Sequence, residues 1–407
     1  MKFTPPASII IVSHGRPDGL ARILSALRFQ SYANFEIIVV ADHEPTSKNI
    51  KFVKFDEANI SKARNLGIAV AAGDIIAFCD DDAIPEPRWL ERLIAPFENP
   101  DIGVAGGYVR GRNGISFQWR ALETDMNGND YPLEREECSD ISIHSCGERF
   151  AKVQGTNCAF RKTGVVDLGG FDENFAFYLD ETELTLRMGR AGWKTAIVPL
   201  AEVQHGYAAS LMRGVNRAPK TLFQIGFSKA YFLKKYGDLD TIQLFRDEQE
   251  RRLTTFVSGT KITNAEKIKL LQTLDDGISQ GTQIGDAKCN LSVQNTPEFL
   301  PATNTNETNG VAIVGSLLRW NSLVKRAKIL AEQGIPTMVF CFTHTTLFHH
   351  RYFDVRGFWV QTGGVYGRSD RNDPIFCPYS IASRAKREQK LLTDQRDFSK
   401  ILDSSHR

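Results

Sequence analysis

Three consecutive aspartates, Asp80–Asp82, close an apolar run that reads Asp74-Ile-Ile-Ala-Phe-Cys79. Carboxylates crowded into one loop repel one another, and an oxygen-rich cluster suits a hard divalent cation such as Mg²⁺ or Mn²⁺. A solvated acidic turn at the start of the next helix accounts for the same residues, so spacing alone leaves both readings open. Seven cysteines (79, 138, 146, 158, 289, 341 and 377) form no C-x-x-C pair, which argues against a zinc ribbon or a redox motif and for reduced thiols. His344, His349 and His350 flank Thr345-Thr-Leu-Phe348 with nothing beside them to complete a ligand pattern, and Gly363-Gly-Val-Tyr-Gly-Arg368 reads as a tight turn.

The elements around the aspartates alternate between strand and helix. Ser8–Val12 reads as a buried strand, Ser13–Pro17 as the turn after it, and Leu20, Ile23, Leu24 and Leu27 as one face of a helix. Phe35–Val40, Lys51–Phe55 and Asp74–Cys79 are further strands, with a helix capped by Ser61 and another over Arg88–Ile94. Such alternation predicts an α/β fold with a doubly wound, mostly parallel, Rossmann-like sheet, whose ligands sit at the carboxyl ends of the strands. Ser13, Asp42 and Asp80–Asp82 all fall at those ends. Farther on, the pattern predicts a strand over Val153–Phe160, a helix over Glu181–Ala191 and a strand over Thr195–Val198. Residues Asp276–Gly310, rich in Asn, Thr, Gly and Gln, read as a linker, and a small βαβ-like unit follows.

Six segments in order resemble the GT-A-fold family 2 glycosyltransferases: Ile9-Ile-Ile-Val-Ser-His14, Phe35-Glu-Ile-Ile-Val-Val-Ala-Asp42, Lys62-Ala-Arg-Asn-Leu-Gly67, Gly73-Asp-Ile-Ile-Ala-Phe-Cys-Asp-Asp-Asp82, Gly169-Gly-Phe-Asp-Glu173 and Asp180-Glu-Thr-Glu-Leu184. The resemblance covers residues 7 to 240 or so and leaves the C-terminal region uncovered. It implies a GT-A-like fold, an inverting transfer from a nucleotide-sugar donor, and a divalent metal, Mn²⁺ or Mg²⁺. In that frame Asp42 meets the donor base, Ser13 and His14 line the nucleotide, and Arg64 lies near its phosphates. Asp80 and Asp82 match the outer positions of the D-x-D motif, with Asp82 as the direct metal ligand and Asp81 against the ribose or sugar. His205, in Pro199-Leu-Ala-Glu-Val-Gln-His205, matches a histidine that completes the metal site in some relatives. Asn157 and Gly155 match the acceptor-side segment bordering the sugar.

The family usually reads Glu-Asp where this chain reads Asp180-Glu181, so Glu181 occupies the position of the general base and Asp180 is its neighbour. Either carboxylate can accept a proton, although the extra methylene of Glu changes its reach. Glu183 reads as structural, paired with Arg187 at i+4. Arg213, Arg217 and Lys220 read as a solvated helix face, with contact to the diphosphate or a membrane-associated acceptor as the alternative, and Phe223, Phe227, Tyr231 and Phe232 as a helix packed on the domain, a peripheral amphipathic helix being the alternative.

The predicted organisation is residues 1–240 as the glycosyltransferase domain, 241–309 as a helical segment and polar linker, and 310–407 as a small α/β region of unknown role. Expected partners are a nucleotide-sugar donor and a glycan or lipid-linked acceptor. With 50 Lys+Arg against 48 Asp+Glu, a nucleic-acid partner is not expected. No apolar stretch is long enough to span a membrane, so the expected location is cytoplasmic, with peripheral contact at the inner membrane face as the only membrane association. A catalytically silent nucleotide- or carbohydrate-binding module is the alternative function, and the Asp180-Glu181 order is what favours it. A nucleotidyltransferase ranks below both, because the first loop, Ser13-His-Gly-Arg-Pro-Asp18, lacks the required glycine-rich character.

Overall fold

The computed structural model describes all of the chain except residues 1–2, 134–139, 207–211, 215, 287–288, 290, 292, 294–296, 305–308, 397, 399 and 404–407. The chain opens with strand β1 (Ala7–Ser13), helix α1 (Pro17–Leu27), β2 (Phe35–Ala41), β3 (Lys51–Lys54), α2 (Ile60–Val70), β4 (Ile75–Phe78), β5 (Ala83–Pro85), α3 (Trp89–Ile94) and β6 (Ile102–Arg110). Short strands β7 (Phe117–Trp119), β8 (Leu122–Asp125), β9 (Asp130–Pro132), β10 (Ser142–His144) and β11 (Arg149–Lys152) come next. They lead into β12 (Cys158–Arg161), α4 (Lys162–Asp167), α5 (Asp180–Arg190) and β13 (Lys194–His205).

The main sheet has the order β3-β2-β1-β4-β12-β6-β13-β10 among the described residues. β1 to β4 pair in parallel, β12 enters antiparallel between β4 and β6, and β13 runs parallel to β6. This is the doubly wound, mostly parallel sheet expected. Side chains alternate along a strand, so β1 feeds two cores at once. Ile9 and Ile11 meet Leu20 and Leu24 of α1 and Trp89 and Leu93 of α3. Ile10 meets Ala63 and Ile68 of α2 and Leu184 and Met188 of α5. Each such fully buried isoleucine contributes about 1.5–3 kcal/mol by leaving water, which is why the central strands read as unbroken apolar runs.

Beyond β13 lie α6 (Phe223–Tyr236), α7 (Ile242–Ser258) and α8 (Asn264–Gln283). α8 runs seven residues past Asp276, to Gln283, and so corrects the expected start of the linker. The reason is packing: at Gly277 a Cβ would fall on the Phe223 carbonyl, and at Gly281 on that of Phe227. Glycines taken for linker composition are instead the points where two helices touch. On α6, Tyr231 and Phe232 are buried with Phe175 and Leu179, so the helix packs on the domain rather than lying free as an amphipathic membrane helix.

Two further expectations are corrected. Asn59, not Ser61, caps α2, accepting from the Lys62 N–H at 2.9 Å, while Ser61 donates to the Phe175 carbonyl at 2.7 Å. Residues 153–160 are not one strand either. Gln154 and Asn157 close a tight turn, with the Asn157 N–H on the Gln154 carbonyl at 2.7 Å, and β12 begins after it.

A separate five-stranded sheet completes the fold: β14 (Val311–Ser316), α9 (Trp320–Glu332), β15 (Thr337–Thr343), β16 (His350–Asp354), β17 (Phe358–Gly364), α10 (Ile381–Leu392) and β18 (Lys400–Asp403). Its order is β16-β17-β15-β14-β18, and β14, β15, β17 and β18 are parallel. The β14-α9-β15 crossover is the βαβ unit anticipated. This unit is joined to the first by a shared core in which Ala26, Phe29 and Ile84 pack with Phe340, Phe353 and Trp359. At its edge Arg396 meets Glu86 at 2.7 Å, both buried. No helix among the described residues is long and apolar enough to cross a membrane.

Candidate active site

The parallel strands β1, β2 and β4 deliver Ser13, Asp42 and Asp80 to one sheet edge, and β13 brings His205 back alongside β5 through the pair His205–Ala83. Ligand atoms of Asp80, Asp82 and His205 all lie within 4.8 Å of one another. His205 Nε2 is 3.3 Å from Asp82 Oδ1. Its other nitrogen, Nδ1, is 3.0 Å from Gln118 Oε1, and Trp119 stacks on the ring at 5.8 Å. Two carboxylates and one imidazole held from behind by a polar partner form a donor set that fits Mn²⁺ or Mg²⁺.

Asp81 points the other way. Its side chain is fully buried, accepts from Ser13 Oγ at 2.7 Å and pairs with Arg16 at 2.7 Å. Burial pushes its pKa up to about 7, against the pull of Arg16 and Ser13. The expectation that Asp81 faces the ribose or sugar is therefore not met, and Ser13 is occupied in fixing the loop.

Asp42 lies beneath the turn after β1. Gly15, at φ +64°, takes the left-handed conformation that aims its N–H at both Asp42 oxygens, 3.0 and 3.1 Å away. His43 Nδ1 sits 2.7 Å from Asp42 Oδ1. Burial opposes ionisation of Asp42, but the bonds from His43 and Gly15 outweigh it and hold the carboxyl below its ordinary pKa. His14 meets Asp56 at 3.0 Å, so Asp42, His14 and Asp56 form a second cluster that their own hydrogen bonds explain.

Arg64 joins the two acidic groups. Its guanidinium is buried against the rings of Phe78 and Phe171, pairs directly with Asp180, donates to the Gly155 carbonyl at 3.1 Å and lies 3.9 Å from Asp80. Asp180 is thus committed to a cation. Glu181, the next residue, is half-buried, and burial together with Asp180 pushes its pKa up to about 8, with Lys152 and Arg64 opposing. Tyr178 and Leu179, both at positive φ, set the turn that starts α5 here. Such non-glycine conformations cost of order 1–3 kcal/mol each and persist only where surrounding packing enforces them. Glu183 is a structural residue: it is buried and bound by Arg187, Lys235 and Tyr236.

The structure therefore brings together Asp80, Asp82 and His205, and sets Asp180 and Glu181 one guanidinium away. It keeps Asn157 out. That side chain is 0% exposed, with Trp89, Tyr108 and Ala201 as its partners, and it locks β6, α3 and β13 together instead of bordering a sugar. Gly155 acts through its carbonyl, and a Cβ there would stand 2.6 Å from Arg64. Gln118, Trp119, Arg16 and Lys152 were not anticipated from the sequence. Only Arg16, in the loop after β1, carried a signal in its position. His349 and His350 bond to the carbonyls of Gly364 and Arg112, and among the described residues no metal-binding group forms there. The six described cysteines are unpaired, and Cys138 lies outside the described residues.

The family model for glycosyl transferase family 2 matches residues 8–158, a span that runs from β1 through β11 and includes the aspartate loop. N-acetylglucosaminyl-diphospho-decaprenol L-rhamnosyltransferase of Mycobacterium tuberculosis (strain CDC 1551 / Oshkosh) is 38% identical over 234 residues, 51% of this chain and 69% of that protein. The chain belongs to glycosyl transferase family 2. O-antigen biosynthesis protein RfbC of Myxococcus xanthus is 25% identical over 247 residues, 56% of this chain and 19% of that protein. Glucosyl-dolichyl phosphate glucuronosyltransferase of Haloferax volcanii is 25% identical over 185 residues, 41% of this chain and 56% of that protein. The chain thus spans 19% and 56% of the length of these last two relatives. The matched family span stops before Asp180 and Glu181.

Proposed function

We propose that this chain is an inverting glycosyltransferase that moves a sugar from a nucleotide-diphosphate sugar to a hydroxyl of a glycan or lipid-linked acceptor. The observation that carries the reading is Arg64, which holds Asp180 and nears Asp80, linking the Asp180-Glu181 pair, where Glu181 has a raised pKa, to Asp80, Asp82 and His205, a donor set that suits a cation. Asp42, Gly15 and His14 are assigned to the nucleotide, and Asp80, Asp82 and His205 to the cation. A divalent cation held there supplies positive charge to the diphosphate as the glycosidic bond breaks. Glu181 takes the proton from the acceptor hydroxyl, whose oxygen attacks the anomeric carbon in line, and the nucleoside diphosphate leaves from the opposite face. Asp180, fixed by Arg64, positions the backbone that carries Glu181. A β-linkage from an α-linked donor is the expected product.

The lipid-linked acceptor is supported by two relatives, one named for a diphospho-decaprenol and the other for a dolichyl phosphate substrate. RfbC, named for O-antigen biosynthesis, supports a setting in surface polysaccharide synthesis. The test is a thermal-shift screen with Mn²⁺ and a panel of nucleotide sugars, followed by measurement of nucleoside diphosphate release. Metal-dependent release is expected in the native chain, together with its loss in Asp82→Ala at unchanged melting temperature. Binding without release would instead leave a nucleotide-binding module, and full activity in Asp82→Ala would remove the metal assignment.

A further inference from the structure

We infer that the carboxyl-end loops of the small C-terminal sheet form a membrane-docking platform beside the mouth of the candidate site. Because β14, β15 and β17 are parallel and in register, the loops that follow them emerge at one edge of the sheet. Each exposes a pair of large apolar side chains: Leu317 and Leu318 after β14, Leu347 and Phe348 after β15, Ile375 and Phe376 after β17. Leu318 is 99% exposed, Phe348 73% and Ile375 77%. Apolar side chains scattered singly over a surface need no explanation, but three adjacent loop tips carrying them in pairs do.

The tips are held in place rather than loose. The Gly364 N–H donates to the Leu347 carbonyl at 3.0 Å, the Tyr366 N–H to the Thr345 carbonyl at 3.1 Å, and the Cys377 N–H to the Tyr366 carbonyl at 3.1 Å. Phe376 stacks on Tyr366 at 5.1 Å. Leu317 follows Ser316, which pairs with Phe342, so the loops that carry the first and second tips leave neighbouring strand ends.

A lipid interface is the occupant these features favour. The apolar groups project from separate loops instead of lining a groove, a shape suited to a fluid surface rather than to a moulded protein pocket. The same loops carry Arg319, Arg368 and Arg371 against Asp370 and Asp373, of which Asp373 is buried on Arg387, and Arg112 stands exposed next to them, which leaves a net positive charge toward anionic phospholipid headgroups. The platform is also continuous with the site. His350, two residues from Phe348, bonds to the Arg112 carbonyl at 2.9 Å, and Gln204, the neighbour of His205, donates to the Arg351 carbonyl at 2.8 Å. A chain seated on a bilayer through these tips would present His205 and the cation group to a sugar anchored in that bilayer. The inference rests on the lipid-linked acceptor of the proposed function.

The experiment is vesicle co-sedimentation of the full chain with phosphatidylcholine alone and with phosphatidylcholine containing anionic phosphatidylglycerol, at low and high salt. The native chain is expected to bind the anionic vesicles and to lose much of that binding at high salt. The variant Leu318→Ser/Phe348→Ser/Phe376→Ser should bind about tenfold less or weaker still, with unchanged melting temperature and unchanged nucleoside diphosphate release from a soluble donor. No binding of the native chain to either vesicle overturns the inference, as does binding that the triple variant retains. A triple variant that turns a dimer into a monomer, with no vesicle binding by the native chain, would make the face a contact between copies and overturn it equally. Donor turnover is read separately, so failure of the platform and failure of the transferase reading are distinguishable.

Discussion

At the residue scale the order Asp180-Glu181 is resolved by what each carboxylate touches. Asp180 is spent on Arg64, whereas Lys152 and Arg64 act on Glu181 without forming a salt bridge to it among the described residues. A general base must be deprotonated to act, so its active fraction grows as pH rises through its pKa. With Glu181 pushed up to about 8, kcat/KM for transfer should climb with pH to a plateau above about 8. Glu181→Gln should remove that ionisation and lower the rate by about 10²–10⁴-fold at full donor affinity. A profile already flat from pH 6 upward would place the base elsewhere, and so would a Glu181→Gln enzyme of native rate. The sequence made the acidic clusters legible because carboxylates at strand and helix ends stand out against apolar runs. It could not show that Asp81 and Asn157 face inward, since the direction of a side chain in a loop is set by distant partners such as Arg16 and Trp89.

At the element scale the parallel strands and the helices over them were readable from periodicity, because apolar residues at periods of two and 3.6 leave few alternatives. What escaped was the boundary of α8, whose surface is polar and whose contact with α6 depends on glycine. Composition cannot distinguish a glycine that frees the chain from one that lets two helices meet. Gly277→Ala tests the distinction: its methyl group would strike the backbone carbonyl of Phe223, which cannot swing aside. The helices would have to part, at an expected loss of about 1–3 kcal/mol in chemical denaturation. In a true linker the same substitution would be neutral or slightly stabilising.

At the scale of the whole molecule, the small sheet unit is the part the sequence left without a role. Its reach into the first unit depends on contacts between residues some 300 positions apart in the chain, such as Glu86 with Arg396, and local pattern carries no trace of these. Glu86→Gln would leave the Arg396 guanidinium buried without its counter-charge, a change that typically costs about 3–5 kcal/mol. Differential scanning calorimetry should show a clear fall in melting temperature, and an unchanged one would mean that the pair contributes nothing.

The core shared by Phe29, Ile84 and Trp359 has a thermodynamic consequence for the whole chain. Units that touch only through polar surfaces melt one after the other. Here Ile84 belongs to the strand that leaves the aspartate loop, and its apolar partners lie in the far unit, so neither can open without exposing the core of the other. The chain should therefore unfold as one cooperative body, and a ligand that binds only the aspartate loop should raise the melting temperature of the C-terminal sheet by the same amount as that of the main sheet.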